Sequence, residues 1–275
     1  MAEAKIPDED IATKSVGTGR YSGVYRNVHP SFSTPLGSTK IWRYMDTAKF
    51  MDLIQSKSLW FSRSDLLGDP FEGSITSPDY EAEKLQSSET AEELKTKSNR
   101  KQIVDSMYIN CWHMNEYESA AMWSIYAPNR DAVAVVTDYK TLSECLPAWI
   151  YIGMVKYIDY SRDTTVFGNV FNPFLHKRAS FSHETELRAV LWDSSAFSSN
   201  KAAKITRVEP AAQEIEKCLK DSGAAVPINL ASLIHSIYVS PTSPKWYREL
   251  ISDFCNKNGL KVDVSQSSLL ENALF

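Results

Sequence analysis

The sequence predicts an α+β fold in which mixed, mostly antiparallel sheets of short strands are flanked by helices. Two observations lead to this prediction. Many short apolar or alternating runs, typical of strands, are separated by long polar excursions and by segments with helical spacing. In addition, no internal repeat is visible along the 275 residues, so the chain does not read as a regular array of identical units.

In the first half of the chain, residue patterns assign seven elements. Asp46 is a suitable N-cap for the first helix, because apolar residues recur after it at helical spacing. In chain order we expect a strand at 40–44, a helix ending at Lys57, a strand at 58–62, exposed helical turns over 79–105, a strand at 107–112, a helix at 120–127 and a central, wholly apolar strand at 132–137.

In the second half, Gly223 and Gly259 mark the expected ends of two helices, and Pro210 and Pro244 mark their first turns. In chain order we expect a helix at 139–146, a strand at 150–157, a polar loop at 158–172, a helical turn at 173–180, a strand at 186–192, a helix at 209–221, a strand at 226–228, a turn at 229–233, a strand at 234–239, a helix at 244–258 and a strand at 261–264.

The length fits one large domain with an appendage. Residues 1–39 are rich in Ser, Thr, Gly and Pro, and we interpret them as an N-terminal arm that is extended or partly disordered. Tyr21, Tyr25 and Phe32 indicate that the arm docks on the rest of the protein. Residues 40–275 are then a single α+β domain.

Composition limits the partners and the compartment. A net charge of −4 and a pI near 5.8 argue against broad, non-specific nucleic-acid binding, which needs a basic face. The four cysteines lie far apart and form no CxxC pair, so reduced thiols in a cytoplasm are expected. No run of about 18 apolar residues and no signal-peptide pattern are present; we expect a cytoplasmic protein without a membrane partner.

The segment 59–73, LWFSRSDLLGDPFEG, carries an unusual density of charge. Asp65, Asp69 and Glu72 surround the breaker residues Gly68 and Pro70 in a loop that leaves a strand. Because apolar and aromatic residues stand on both sides, the loop is expected to fold back over a pocket.

Glu184 and Glu186 stand two residues apart at the beginning of the strand 186–192. At strand spacing both point to one face, together with Arg188, and Lys177 is near in sequence. Two carboxylates on one face repel each other, and burial raises the pKa of at least one of them. An exposed strand edge with alternating charges is the simpler explanation, but the apolar run that follows favours a pocket.

Two aromatic segments supply further candidates. Arg43, between Trp42 and Tyr44, is suited to anchor a phosphate or carboxylate, although it could instead pack its stem on the aromatic rings. His113 follows a buried strand and is the residue whose charge could change near neutral pH. Trp123 and Tyr126 are expected in the core or in a pocket wall.

Several segments, taken in order, resemble the bacterial family called domain of unknown function 2971. The resemblance covers roughly residues 40–268. It rests on WRYM, FMDLIQSKSLWFSRSDLLGDPFEG, INCWHMNEYESAAMWSIYA, GMVKYIDY, KRASFSHETELRAV and LIHSIYVSPTSPKW. The chain departs from the family pattern at Gly68-Asp69, where Asn-Asp is common, and at Phe181, which replaces the usual aromatic residue before the E-x-E.

More distantly, the layout resembles the ADP-ribosyltransferases, which implies a split sheet and NAD as the substrate. The resemblance implies that Arg43 and Tyr44 hold NAD, with Arg188 on its phosphates. It places Ser62 on the nicotinamide ribose. Glu186, preceded by Glu184, would stabilise the oxocarbenium-like ribose as the glycosidic bond breaks.

The leading hypothesis is therefore an NAD-using ADP-ribosyltransferase-like protein, a toxin or phage-defence effector, whose partners are a small-molecule nucleotide and a protein or nucleic-acid acceptor. In it, pocket-shaping roles are expected for Asp69, Glu72, His113, Trp123, Tyr126 and Lys177, and no metal is bound.

Two alternatives stay open. One is a metal-dependent hydrolase or nuclease whose oxygen ligands are Asp65, Asp69, Glu72 and Glu186, with Lys177 or Arg188 on a phosphate. The other is a non-catalytic ligand-binding or regulatory module that keeps the pocket.

Overall fold

A computed structural model describes residues 19–21, 24–26, 29–86, 99–127, 131–165, 169–197 and 209–271. Within these residues, no helix has the length and apolar character needed to cross a membrane. Of the predicted arm, residues 1–18 lie outside the described residues, and the side chains of Tyr21 and Tyr25 are not described. Phe32 packs on the ring of Tyr151, with centroids 5.2 Å apart, so this end of the arm contacts the domain.

The strands are short, as predicted. They are β1 (Gly19–Tyr21), β2 (Val24–Arg26), β3 (Lys40–Asp46), β4 (Ser58–Arg63), β5 (Met107–Met114), β6 (Ala132–Asp138), β7 (Tyr151–Met154), β8 (Lys156–Ile158), β9 (His176–Arg178), β10 (Glu186–Trp192), β11 (Leu219–Lys220), β12 (Gly223–Pro227), β13 (Ser236–Val239) and β14 (Asp263–Gln266).

The helices lie between these strands. They are α1 (Thr47–Ser56), α2 (Ser77–Gln86), α3 (99–105), α4 (Ala120–Tyr126), α5 (Tyr139–Cys145), α6 (Glu209–Cys218), α7 (Leu230–Leu233) and α8 (Lys245–Lys257). Asp46 caps α1 as expected, because its carboxylate accepts the backbone N–H of Lys49 at 2.8 Å.

A ten-stranded sheet forms the centre of the molecule, and two-stranded sheets pair β1 with β2 and β8 with β9. The strand order of the large sheet is β11-β12-β4-β5-β3-β6-β13-β14, with β10 and β7 branching from β5. Its pairs are antiparallel except β13 with β14. The predicted α+β fold with mostly antiparallel pairing is confirmed.

The sheet is split along one edge of β5. At one end of that edge β3 pairs with β5, placing Trp42 opposite His113. At the other end β4 pairs with β5, placing Ser62 opposite Ile109. The other edge of β5 pairs with β10 along its whole length. We call the gap between β3 and β4 the split; the sheet therefore has an opening at its centre, as expected.

Alternation along the strands sorts the core into two faces. The largest cluster, with Ile41, Phe50 and Trp112, packs α1, α5 and α8 on one face. The other face carries two smaller clusters, one around Tyr44 and Trp123 and one around Phe174. Polar residues of β5 and β10 lie between these two clusters and interrupt the apolar core. A polar functional site can therefore form on that face.

The structure corrects three element predictions. The strand expected at 150–157 is divided into β7 and β8, because the chain changes partner: the Val155 N–H donates to Glu186 and the Lys156 N–H to Leu175. The helical turn expected at 173–180 contains strand β9, which pairs in parallel with β8.

The third correction concerns the helix expected at 209–221. It ends at Cys218, and Gly223 lies inside β12 instead of following the helix. Glycine is needed there because a Cβ would lie 2.4 Å from the Phe61 carbonyl oxygen.

Candidate functional site

A cleft opens beside the split, between the two smaller apolar clusters. Its cavity volume is about 120 Å³. The cleft brings together residues from β3, β5, β9, β10, the loop after β4 and helix α4. Of the residues singled out in the sequence, those that line it are Arg43, Tyr44, Glu72, His113, Tyr126, Lys177, Glu184, Glu186 and Arg188.

Arg188 organises the buried end of the cleft. Its side chain is 1% exposed, and its guanidinium donates to both carboxylate oxygens of Glu72 in a bidentate pair. It also donates to Glu186 Oε2 at 3.1 Å and to the Phe174 carbonyl oxygen at 2.6 Å. One guanidinium therefore joins the loop after β4, the turn before β9 and strand β10.

Lys177 is the second cation in the buried end of the cleft, and it lies beside two glutamates. Its ammonium pairs with Glu184 and lies 3.6 Å from Glu186 Oε2. Burial raises the pKa of Glu186, but the charges of Arg188 and Lys177 outweigh it and hold this pKa below its ordinary value. Glu186 is therefore ionised at neutral pH, although its side chain is only 7% exposed.

The backbone between the two glutamates is bent. Thr185 has φ 40° and ψ 57°, a left-handed conformation that is rare for a β-branched residue. The Thr185 carbonyl accepts the Met114 N–H at 2.9 Å, and the Glu186 N–H donates to the Tyr157 hydroxyl at 2.8 Å. These bonds hold the strained residue and so fix where Glu184 and Glu186 enter the cleft.

Arg43 lies in the split. Its two terminal nitrogens donate to the Cys111 carbonyl oxygen at 3.4 Å and to the Trp60 carbonyl oxygen at 3.3 Å. Among the described residues, no carboxylate forms an ion pair with it. Burial lowers the pKa of the Arg43 guanidinium, but an arginine stays protonated in proteins. Arg43 is thus a partly buried cation whose charge is not balanced by an acid.

A larger cavity of about 620 Å³ lies on the far side of the split. We call it the adjoining cavity. Arg43, Tyr44, Leu67, Cys111 and Tyr126 line both spaces, so the two meet at Arg43. The lining of the adjoining cavity is mainly apolar and aromatic. It includes Leu53, Leu59, Trp60, Leu66 and Ile109.

His113 is held by two hydrogen bonds. Its Nδ1 lies 2.6 Å from the Glu184 carbonyl oxygen and therefore carries the proton, and its Nε2 accepts from the Asn115 amide at 3.3 Å. Burial lowers the pKa of His113. The neutral ring fixes the Glu184 backbone and has no free nitrogen for proton transfer.

Three predicted site residues do not line the cleft. Ser62 lines the adjoining cavity. Trp123 packs behind Tyr44 with ring centroids 4.9 Å apart, and its indole N–H donates to Glu118. Asp69 accepts the Phe71 N–H at 3.0 Å and pairs with Arg178 at 2.8 Å, which shapes the loop outside the cleft.

The sequence reasoning gave no role in the site to Cys111, Tyr157 or Arg178. The Cys111 thiol lies beside Glu186 and helps to lower the pKa of that carboxyl, and its place on β5, two residues before His113, already puts it on the cleft face. Tyr157 and Arg178 carry no local signal, since their partners lie at distant positions of the chain.

The acids proposed as metal ligands do not converge. Asp65 pairs with Arg63, Asp69 with Arg178, and Glu72 with Arg188. Among the described residues, no group of three or more His, Cys, Asp or Glu side chains is arranged to hold a metal ion.

Comparison with known proteins gives few matches. No protein-family model matches the chain, and no curated protein matches it. Among solved structures, the chain is similar to one described as Thermus sp. 2.9 DarT in complex with NAD+. The two share 9% identity with a TM-score of 0.37, over 85% of this chain and 98% of that one.

Proposed function

We propose that this protein is an ADP-ribosyltransferase-like enzyme that uses NAD. The observation that carries the proposal is the unbalanced charge of Arg43 at the junction of the cleft and the adjoining cavity. A partly buried cation without an acidic partner costs free energy unless an anion binds beside it. Phosphate is one of the anions that arginine binds through strong, often bidentate hydrogen bonds.

The charges on either side of Arg43 indicate how such a ligand would lie. Among the described residues in the buried end of the cleft, three carboxylates, Glu72, Glu184 and Glu186, pair with two cations, Lys177 and Arg188. Acids outnumber cations at that end, which suits a cationic nicotinamide ring. With the pyrophosphate on Arg43, the adenosine half would enter the larger, mainly apolar adjoining cavity.

The chemistry assigned to Glu186 follows from its ionised state. When the bond from nicotinamide to ribose breaks, its electron pair leaves with nicotinamide, and positive charge develops on the ribose. A nearby carboxylate stabilises that charge until the acceptor nucleophile bonds to the ribose carbon. Arg188, Lys177 and the Cys111 thiol keep Glu186 deprotonated, and the Tyr157 hydroxyl holds its backbone N–H.

The test is nicotinamide release and label transfer from labelled NAD in a cell lysate. We expect both from the wild type and a loss of about 100-fold or more in Glu186→Gln, the scale seen when a transition-state charge loses its stabilising group. Glu249→Gln on the exposed face of α8 is the matched control and should retain full activity. Absence of both signals from folded wild type would refute the enzyme proposal.

A binding measurement separates an enzyme from a non-catalytic module. Arg43→Met should weaken NAD binding about tenfold or more, because it removes a charge-assisted bond to phosphate. If wild type binds NAD but releases no nicotinamide with any lysate, the ligand-binding module is the better assignment.

For the cellular role, we propose a toxin or phage-defence effector that modifies a protein or nucleic-acid acceptor. The support is the resemblance in sequence layout. Induced expression of the wild type in bacteria should slow growth, and Glu186→Gln should relieve the effect at equal protein level. Equal growth of both strains would argue against this role.

A further inference from the structure

A third cavity, separate from the cleft, lies beside helix α2. Its volume is about 360 Å³, and it shares no lining residue with the cleft. Ile75, Ile103, Val170, Pro173 and Phe174 give it a mainly apolar wall. We call it the α2 cavity. A space of this size and character accommodates a compact organic molecule with one ring.

Among the described residues of this wall, Asp79 is the ionisable side chain that forms no ion pair. It is 1% exposed. Its Oδ2 accepts the backbone N–H of Thr165 at 2.9 Å and the Thr165 hydroxyl at 2.7 Å. Its Oδ1 is also buried, and among the described residues it has no hydrogen-bond partner. A buried carboxylate oxygen without a donor is costly, so the site lacks a hydrogen-bond donor.

The other charged residues of the wall do not supply the missing hydrogen-bond donor to Asp79. Glu83 and Arg100 also line the cavity, and they pair with each other. Among the described lining residues, Asp79 is then the charge without an ion-pair partner. A ligand with one positive charge and an apolar body would complement both the Asp79 carboxylate and the apolar wall.

We propose that the α2 cavity binds a small organic cation, an aryl-alkylamine, whose ammonium group donates to Asp79. This site is independent of the function proposed for the cleft. A purely structural role for Asp79, as a clamp between α2 and Thr165, uses Oδ2 alone and leaves Oδ1 without a partner. The bound amine supplies that partner and balances the charge.

The experiment compares phenethylamine with 2-phenylethanol, which has the same ring and chain length but no charge at neutral pH. Binding to the full chain is measured by calorimetry. The wild type should prefer the amine by about tenfold or more, the scale of a hydrogen bond to a charged group. In Asp79→Asn this preference should fall to about one, because the amide keeps an oxygen for Thr165 but presents a donor in place of Oδ1.

Asp253→Asn, on the exposed surface of α8, is the matched control and should keep the wild-type preference. Equal binding of amine and alcohol to the wild type, or no binding of either at millimolar concentration, would overturn the proposal. An unchanged preference in Asp79→Asn would overturn it as well. If Asp79→Asn does not fold, the wild-type preference alone decides.

Discussion

Arg43 and Arg188 line the same cleft, but their charges are balanced differently. Arg188 has two carboxylates and a carbonyl oxygen around it, whereas Arg43 has two carbonyl oxygens at longer distances. A buried charge that is paired with carboxylates maintains the structure, and one that lacks a counter-ion is available to a ligand. The two residues therefore separate structural from binding roles within one site.

Removing the Arg188 guanidinium should destabilise the fold strongly. Arg188→Met leaves Glu72 and Glu186 buried without their main cation. We expect a loss of about 3–5 kcal/mol in unfolding free energy, measured by urea denaturation. Adding Glu72→Gln to Arg188→Met should recover part of the loss, since it removes one of the unpaired charges.

The control for this measurement is Arg63→Met. Arg63 and Asp65 pair at 2.7 Å, but each side chain is about a third exposed. Water screens this pair, so its loss should cost no more than about 1 kcal/mol. A similar cost for both substitutions would show that the Arg188 cluster is not the main support of the cleft.

At the scale of elements, the contact of β12 with β4 depends on one glycine. A Cβ on Gly223 would lie 2.4 Å from the Phe61 carbonyl oxygen and 2.4 Å from the Trp60 ring. The backbone oxygen cannot move without breaking the pairing of β12 with β4. Gly223→Ala should therefore cost about 1–3 kcal/mol in unfolding free energy.

Gly37→Ala is the matched substitution, because a Cβ there meets only Lys140 Cβ at an ordinary 3.6 Å. It should change the unfolding free energy by less than about 0.5 kcal/mol, as surface substitutions usually do. Equal unfolding midpoints for the two alanine variants would contradict the close packing inferred at β12.

Local patterns predicted the elements whose signals are local. The cap at Asp46, the apolar run of β6 and the charge-then-apolar pattern of β10 each lie within a few residues, and the predicted elements match. Elements set by pairing were missed. Strand β9 exists because β8 lies beside it, and nothing in its own sequence, His-Lys-Arg, indicates a strand.

Local sequence patterns also predicted only part of the site. Strand spacing placed Glu186 and Arg188 on one face, and the structure pairs them. The partner that completes the cluster, Glu72, stands 116 residues away from Arg188. Local spacing cannot give such a contact, because it depends on how the loop after β4 folds over the sheet. The unbalanced charge of Arg43 was equally invisible, since it depends on which acids do not reach the split.

For the whole molecule, three histidines, one buried and two partly buried, should make stability depend on pH in mildly acidic solution. Burial lowers the pKa values of His29, His113 and His176 from 6.5. Below this pH the unfolded chain binds protons that the folded chain does not, so stability falls as pH decreases. The slope can reach about 1.4 kcal/mol per pH unit for each histidine.

Urea unfolding at pH of about 7.5, 6.5 and 5.5 tests this dependence. Stability should be constant above about pH 7 and should fall between the two lower values. His113→Asn should show a shallower fall, because the unfolded chain then binds one proton fewer. Identical slopes for the wild type and His113→Asn would contradict this account.

The split in the sheet also has a mechanical consequence. Among the described residues, no ladder hydrogen bond joins β3 to β4; both are held through β5, helix α1 and the side-chain bond from Arg43 to Trp60. Strand pairing therefore does not fix the angle between the two parts of the sheet directly, but only through β5. An anion that bridges Arg43 to the β4 side would add a bond across the split.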